Sequence, residues 1–366
     1  MEKVTAYPDQ KIRFGRQVIG MEHGGDIYRN KVKLDFSVSL NPHPVPDKVM
    51  NAYHDAGDLL SHYPDLKQER LREKLAFYHS ISTACVLAGN GASSILMGAV
   101  RCIDPDMACI TEPGFSGYRH VTGALTKCSL TVYRDSLSGI GFSLDDLKKA
   151  LTGGTDLLIL QDPVNPSGRN IPNEDMEKCL EFADRNGMYV ILDQSFYLLS
   201  EKGRNEADIA QLINKYNRLF IVRSFTKLFS VPGIRMGYVI SSEKNIKILE
   251  RNLPEWDLSI PADLMMQAGI DELTETDFVN ESLDMIKKER EYLEKSLKTA
   301  GLFVYPSDTV FIMFKGPRSL YDRLLEKGIL IRRLESDDRE NTSLYRIAVR
   351  DLEANTQLTE AIMNVL

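Results

Sequence analysis

Between residues 84 and 240 the chain alternates short apolar runs with stretches whose apolar residues recur at helical spacing. The runs fall at 84–88, 107–111, 130–133, 156–160, 189–192, 219–222 and 237–240, and they are rich in Val, Ile and Leu without strict polar alternation. A strand covered by helices on both faces has no side left for water, so it reads as a continuous apolar run. Between the runs, 173–186 carries the helical period, and Gly187 stands where a left-handed C-terminal cap belongs. The pattern predicts an α/β fold, a mostly parallel sheet flanked by helices. After Pro261 the texture changes: 272–297 predicts one long charged amphipathic helix, and strand-like runs follow at 309–314, 329–332 and 344–349. A smaller α+β domain is expected there. The chain then divides into an N-terminal arm, 1–48, packing on the small domain and the active site, a large domain, 49–260, and a small domain, 261–366.

A length of 366 residues exceeds what one hydrophobic core organises, in keeping with two domains. The net charge of −7 argues against a nucleic-acid or anionic-membrane surface, though it leaves room for a local anion site. Residues 1–20 are polar and mixed in charge, unlike a secretory signal, and no apolar run approaches the ~20 residues that span a bilayer. The five cysteines are odd in number and form no CxxC pair, which favours free thiols in a reducing cytoplasm over disulfides or metal ligands. The expectation is a soluble cytoplasmic protein without a metal.

Open α/β sheets bind ligands at the carboxyl ends of their strands. Chemically unusual residues should therefore follow the apolar runs, and five times they do. After 84–88 comes Gly89-Asn90-Gly91-Ala92-Ser93, opening a helix near Ser94; its free N–H groups favour an anion such as phosphate, although a Gly-rich turn is also ordinary architecture. After 107–111 comes Glu112-Pro113-Gly114-Phe115, where the ring could stack on a flat ligand or sit in the core. After 156–160, two prolines and a glycine frame Asn165 in a rigid turn that could aim its amide at a ligand oxygen. After 189–192 comes Asp193, a carboxylate costly to bury unless paired, by a cap, a salt bridge or a protonated ring nitrogen. After 219–222 comes Ser224-Phe225-Thr226-Lys227, then Pro232-Gly233-Ile234-Arg235. A lysine in apolar surroundings near cations loses its proton and becomes an imine-forming amine, and Ser224 and Arg235 could complete a phosphate site. Together these residues supply what pyridoxal 5'-phosphate requires of a protein.

In the order and spacing of Gly91-Ala92-Ser93, Asn165-Pro166-Ser167-Gly168, Asp193, Ser224-Phe225-Thr226-Lys227 and Arg235, the chain resembles the class I/II aminotransferases of fold type I along nearly its whole length. The resemblance implies that Lys227 carries pyridoxal phosphate as a Schiff base and that Asp193 pairs with the ring nitrogen. It further implies that Asn165 meets the ring hydroxyl, that Phe115 stacks on the ring, and that Gly91, Ala92, Ser93, Ser224 and Arg235 hold the phosphate. Tyr63, in His62-Tyr63-Pro64-Asp65, looks like the tyrosine that reaches a neighbouring subunit's phosphate, which implies a homodimer with shared active sites. Within the superfamily the chain resembles threonine-phosphate decarboxylases and histidinol-phosphate aminotransferases. The segments that carry this likeness are His23-Gly24-Gly25-Asp26-Ile27-Tyr28, Leu34-Asp35-Phe36-Ser37, Asn41-Pro42, Arg223 to Gly233, and the two C-terminal arginines, Arg332 and Arg346. That likeness implies that Arg332 and Arg346, with His23 nearby, bind the anionic groups of a phosphorylated amino acid or amine.

Two departures stand out. Phe196, in Asp193-Gln194-Ser195-Phe196, removes a phenol common in the family, and Ser39 stands where decarboxylases usually show Asn, which makes it a candidate substrate contact. Arg350 reads as a surface ion pair. The leading expectation is threonine-phosphate decarboxylation, with transamination of histidinol-phosphate type to 2-oxoglutarate as the alternative. A dinucleotide-binding oxidoreductase would need GxGxxG, which Gly89-Asn90-Gly91-Ala92-Ser93-Ser94 lacks at its third glycine. A cofactor-binding regulator would need an appended DNA-binding or sensor domain, for which the two expected domains leave no room.

Overall fold

The computed structural model describes residues 24–112, 114–124, 129–134, 143–151, 154–204, 208–337 and 341–366. All seven apolar runs between 84 and 240 become strands of one sheet, with ends shifted by one or two residues. Its order is Val86–Asn90, Met236–Ser241, Leu219–Arg223, Tyr189–Asp193, Leu157–Gln161, Met107–Glu112 and Ser129–Arg134. Alternate residues enter two separate cores: Ile110, Ile159, Ile191 and Val239 face one side, while Cys109, Leu158, Leu192 and Ile240 face the other. Burial on both faces is the physical reason these strands lack polar alternation.

Met236–Ser241 runs antiparallel to both of its neighbours, whereas every other pairing in the sheet is parallel. Six strands therefore end at one edge of the sheet, and the seventh begins there. The outermost strand, Val86–Asn90, is clamped by Gln68, whose side chain accepts from Ala88 N and donates to Ala88 O, each at 3.0 Å. The expected helix after 84–88 starts at Gly91 rather than near Ser94 and runs as Gly91–Ile103. The 173–186 expectation corresponds to Asn173–Arg185, followed by Gly187 at φ +70°.

Beyond residue 260 the single long helix expected over 272–297 is two helices, Ile260–Glu275 and Phe278–Thr299. Thr276 divides them: its Oγ1 donates back to Glu272 O at 2.8 Å and accepts from Phe278 N at 3.3 Å. A hydroxyl that binds both the closing and the opening backbone turn breaks a pattern whose apolar spacing alone looks continuous. A four-stranded antiparallel sheet follows, ordered Arg332–Asp337, Thr342–Ala348, Phe311–Pro317 and Phe303–Val304. The run expected over 329–332 splits at Ile331, because Ile329–Leu330 instead pairs in parallel with Leu34–Asp35. No helix among the described residues is long and apolar enough to cross a membrane.

Candidate active site at the strand ends

Lys227 lies in the four-residue helix Phe225–Leu228 that follows Leu219–Arg223. Ser224 caps this helix: its Oγ accepts from Thr226 N at 3.2 Å and donates to Met236 O at 2.9 Å. The cap ties the lysine's helix to the start of the antiparallel strand. Burial, and then the charges of Arg346 and Arg235, pull the Lys227 pKa down to about 8, with Asp193 pulling the other way. With the pKa so lowered, roughly a tenth of the amine is neutral at pH 7, far more than for an ordinary lysine, and that fraction can act as a nucleophile. The Phe196 ring, itself buried, lies 6.0 Å from Lys227 Nζ and packs edge-on against Phe311.

Asp193 is 2% exposed at the end of its strand. Its Oδ1 accepts from Ser195 N at 2.9 Å and Ser195 Oγ at 2.6 Å, and its Oδ2 accepts from the Tyr118 hydroxyl at 2.8 Å. Burial pushes its pKa up, and those donors together with the Lys227 charge oppose the rise. Among the described residues no cation forms an ion pair with this carboxylate.

Arg235 arrives immediately before Met236–Ser241, at φ +66°, so the antiparallel strand delivers it to the same edge where the other strands end. Its Nη1 donates to Pro232 O at 3.2 Å. A Cβ built on Gly91 would lie 2.8 Å from Arg235 Nη2, and Gly91 has φ +72°, so this position admits glycine for two reasons at once. Ala92 and Ser93 form the first turn of the helix behind it, with Ser93 exposed. Backbone N–H groups at a helix start beside an arginine make a cradle that suits a phosphate. Phe115 stands edge-to-face with Tyr118, ring centroids 5.5 Å apart.

The four-stranded sheet contributes the arginines. Arg332 and Arg346 are direct partners across neighbouring strands. Arg346 Nη1 donates to Asn165 Oδ1 at 2.7 Å and Nη2 to Ser37 O at 2.9 Å, while its Nε is enclosed without a partner among the described residues. Burial, then the Arg332 charge, brings its pKa down to about 10, so the group is still cationic at neutral pH. Residues 34–41 form a strap between the two sheets. Phe36 bonds Leu330 and Ala348 through its backbone, and Asn41 N donates to Lys227 O at 3.1 Å. Ser39 lies within that strap, 2% exposed, and its Oγ has no partner among the described residues. Arg350 differs from the expected surface ion pair: it is half-buried, donates to Asp35 O at 3.3 Å and stacks 5.6 Å over Phe36, because the strap covers it.

Lys227, Asp193, Arg235 and Arg346 thus share one region, with Gly91 joined through Arg235 and Asn165 through Arg346. Tyr63 stands apart, 77% exposed, with its ring 4.8 Å from that of Trp256. His23 lies outside the described residues. Sequence reasoning passed over Tyr118 and Ser195, the donors to Asp193, and Ser37, whose carbonyl holds Arg346. Ser195 was legible in retrospect, since a hydroxyl two residues after an aspartate often bonds it; the other two contacts span 75 and 309 residues. The donor set fits pyridoxal phosphate: a buried amine with a lowered pKa, a carboxylate without an ion-pair partner among the described residues, and an arginine against a glycine turn whose positive φ suits glycine.

The aminotransferase class I and II family model matches residues 31–362. A putative threonine-phosphate decarboxylase of Caldanaerobacter subterraneus subsp. tengcongensis is 30% identical over 355 residues, 95% of each chain. A histidinol-phosphate aminotransferase of Sulfurisphaera tokodaii is 32% identical over 321 residues, covering 83% of this chain and 84% of that protein. Among solved structures, the histidinol-phosphate aminotransferase from Clostridium acetobutylicum superposes with a TM-score of 0.81 at 26% identity, over 91% of this chain and 98% of that one.

Proposed function

Because this chain belongs to the aminotransferase class I and II family and is therefore a pyridoxal-phosphate-dependent enzyme, we propose that it acts on a phosphorylated amino acid, threonine phosphate first, and releases the carboxylate as carbon dioxide. The observation that supports this reading is the pairing of Arg332 with Arg346 across adjacent strands, two cations of which Arg346 acts on Lys227 directly and Arg332 on Arg346. A phosphate, with its several oxygens and double charge, suits two adjacent guanidinium groups and would leave the substrate's carboxylate unheld. The 30% identity to a putative threonine-phosphate decarboxylase over 95% of each chain supports it further.

Pyridoxal phosphate, when bound, supplies an electron sink for the bond that breaks at the substrate's Cα. Lys227 Nζ would hold the cofactor and, once released from it, would carry a proton back to the substrate's Cα. Asp193 would keep the ring nitrogen protonated. Arg235, Ser224 and the turn Gly91-Ala92-Ser93 would hold the cofactor phosphate, Asn165 would meet the ring hydroxyl and Phe115 would cover the ring. Arg332 and Arg346, assisted by Ser39 and His23, fix the substrate's anionic groups and so choose which Cα bond stands ready to break. If they grip the phosphate, no arginine holds the carboxylate, which would then be the group free to leave as carbon dioxide. Tyr63, exposed like Leu60 and Leu66 on either side of it in the chain, would dock a second copy of the chain and complete the partner's phosphate site.

The test is to incubate the protein with threonine phosphate and measure carbon dioxide. Catalytic release without a keto acid supports decarboxylation. The identity of 32% to a histidinol-phosphate aminotransferase favours the second reading, that of an aminotransferase. Amino transfer from histidinol phosphate to 2-oxoglutarate, with no carbon dioxide, would establish it.

A further inference from the structure

We propose that Tyr118 is a positioning residue that keeps Asp193 anionic and aimed at the cofactor's ring nitrogen. The inference rests on the reading of Asp193 given above, and it adds a residue that the family motifs quoted for this chain do not include.

Tyr118 sits in Gly117–Gly123, two strands across the sheet from Asp193, and its side chain is fully buried. Its hydroxyl donates to Asp193 Oδ2 at 2.8 Å and, among the described residues, to no other group. A phenylalanine would fill the same volume without a hydroxyl to satisfy, and burying an unbonded hydroxyl is costly, so the oxygen has a purpose only through Asp193. Burial and the Asp193 charge push the phenol's pKa well up, so Tyr118 stays protonated and acts as a donor at any working pH.

The two carboxylate oxygens are held differently. Oδ1 is bonded from Ser195, two residues away, so local turn geometry sets it. Oδ2 receives only Tyr118, a tertiary contact that fixes the rotation of the carboxylate about its own axis. A carboxyl group buried without donors takes up a proton itself, and a neutral acid no longer favours the protonated form of a facing ring nitrogen. Tyr118 also meets Phe115 edge-to-face at 5.5 Å. One side chain therefore braces both the candidate stacking ring and the candidate nitrogen partner.

A core tyrosine that merely borrows Asp193 to satisfy its hydroxyl would matter for packing alone, and the ring nitrogen separates the two cases. The full chain is stripped of cofactor, and binding is titrated with pyridoxal phosphate and with its carbocyclic analogue, which has CH in place of the nitrogen. Tyr118→Phe is expected to weaken pyridoxal phosphate about ten-fold, the effect of one lost hydrogen bond to a charged group, while binding of the analogue is unchanged. The loss is expected to grow as pH falls from 8 to 6, because the weakened carboxylate protonates more readily. Equal weakening of both ligands, or of neither, overturns the proposal. Ser195→Ala removes a donor from the other oxygen and is expected to show the same nitrogen-dependent loss, which keeps the idea testable should Tyr118→Phe not fold. Asp193→Asn is the control. If it fails to distinguish the two ligands, the assignment of Asp193 itself is wrong and the role of Tyr118 falls with it.

Discussion

Two buried aspartates stand side by side at the ends of neighbouring strands, and Asp162 N donates to Asp193 O at 3.0 Å. Their carboxylates have different surroundings. Asp162, 1% exposed, bonds Lys202 Nζ at 2.9 Å through Oδ2, and its Oδ1 accepts from Asn170 Nδ2 at 2.9 Å and Ile171 N at 3.0 Å. That ion pair is complete within the chain and pins the turn that carries Asn165. Asp193 receives only neutral donors, and its nearby lysine has been pushed toward the neutral form. Burial is nearly equal in the two cases, so burial does not mark the functional residue. What sets the candidate residue apart is a buried charge that, among the described residues, has no ion-pair partner.

The lysines offer the sharpest way to break this comparison. Lys227→Ala is expected to lower turnover at least about a thousand-fold and to abolish borohydride fixation of the cofactor to the chain, read by intact mass. Lys202→Met should instead leave fixation intact and show its effect in the denaturant midpoint. The aspartates come next: Asp193→Asn is expected to reduce turnover about a hundred-fold. Asp162→Asn is expected to destabilise the fold by about 3 kcal/mol in denaturant titration, since it leaves Lys202 without its partner. If Asp162→Asn impaired catalysis as much as Asp193→Asn with no loss of stability, the distinction drawn here would be wrong. Arg346→Lys keeps the charge but replaces a fork that bonds Asn165 and Ser37, so KM should rise about thirty-fold with a smaller change in kcat.

The smallest effect is with pH. With the Lys227 pKa at about 8, the rate at which the cofactor-free chain captures pyridoxal phosphate should rise about ten-fold from pH 7 to 9 and then level off. An increase that continues to pH 10.5 would mean that the lysine is unperturbed. The stability linkage has the same origin. The folded-state pKa lies below the ordinary 10.5, so the unfolded chain holds more protons between pH 8 and 10.5, and this residue's contribution to stability improves as pH rises through that window. Lys227→Met should remove that slope.

The strands, the turns after them, and Lys227, Asp193 and Gly91 as unusual residues could all be read from the chain, because apolar runs and glycine turns are local signals that a few consecutive residues carry. The divided helix at Thr276 was harder to read, since its apolar spacing continues across a break made by one hydroxyl. The direction of Met236–Ser241 was invisible: an antiparallel strand buried on both faces has the same composition as a parallel one, yet its direction brings Arg235 to the glycine turn. Only the fold could decide that Tyr118 meets Asp193, that Arg346 is held by Asn165 and Ser37, and that the 34–41 strap reaches Lys227. Such contacts depend on strand order and on how each helix is rotated against its sheet. The sequence thus determined which residues have the chemistry and which strand ends carry them, while the tertiary structure decided which charges are paired, because pairing is set by distances between segments that no local pattern encodes.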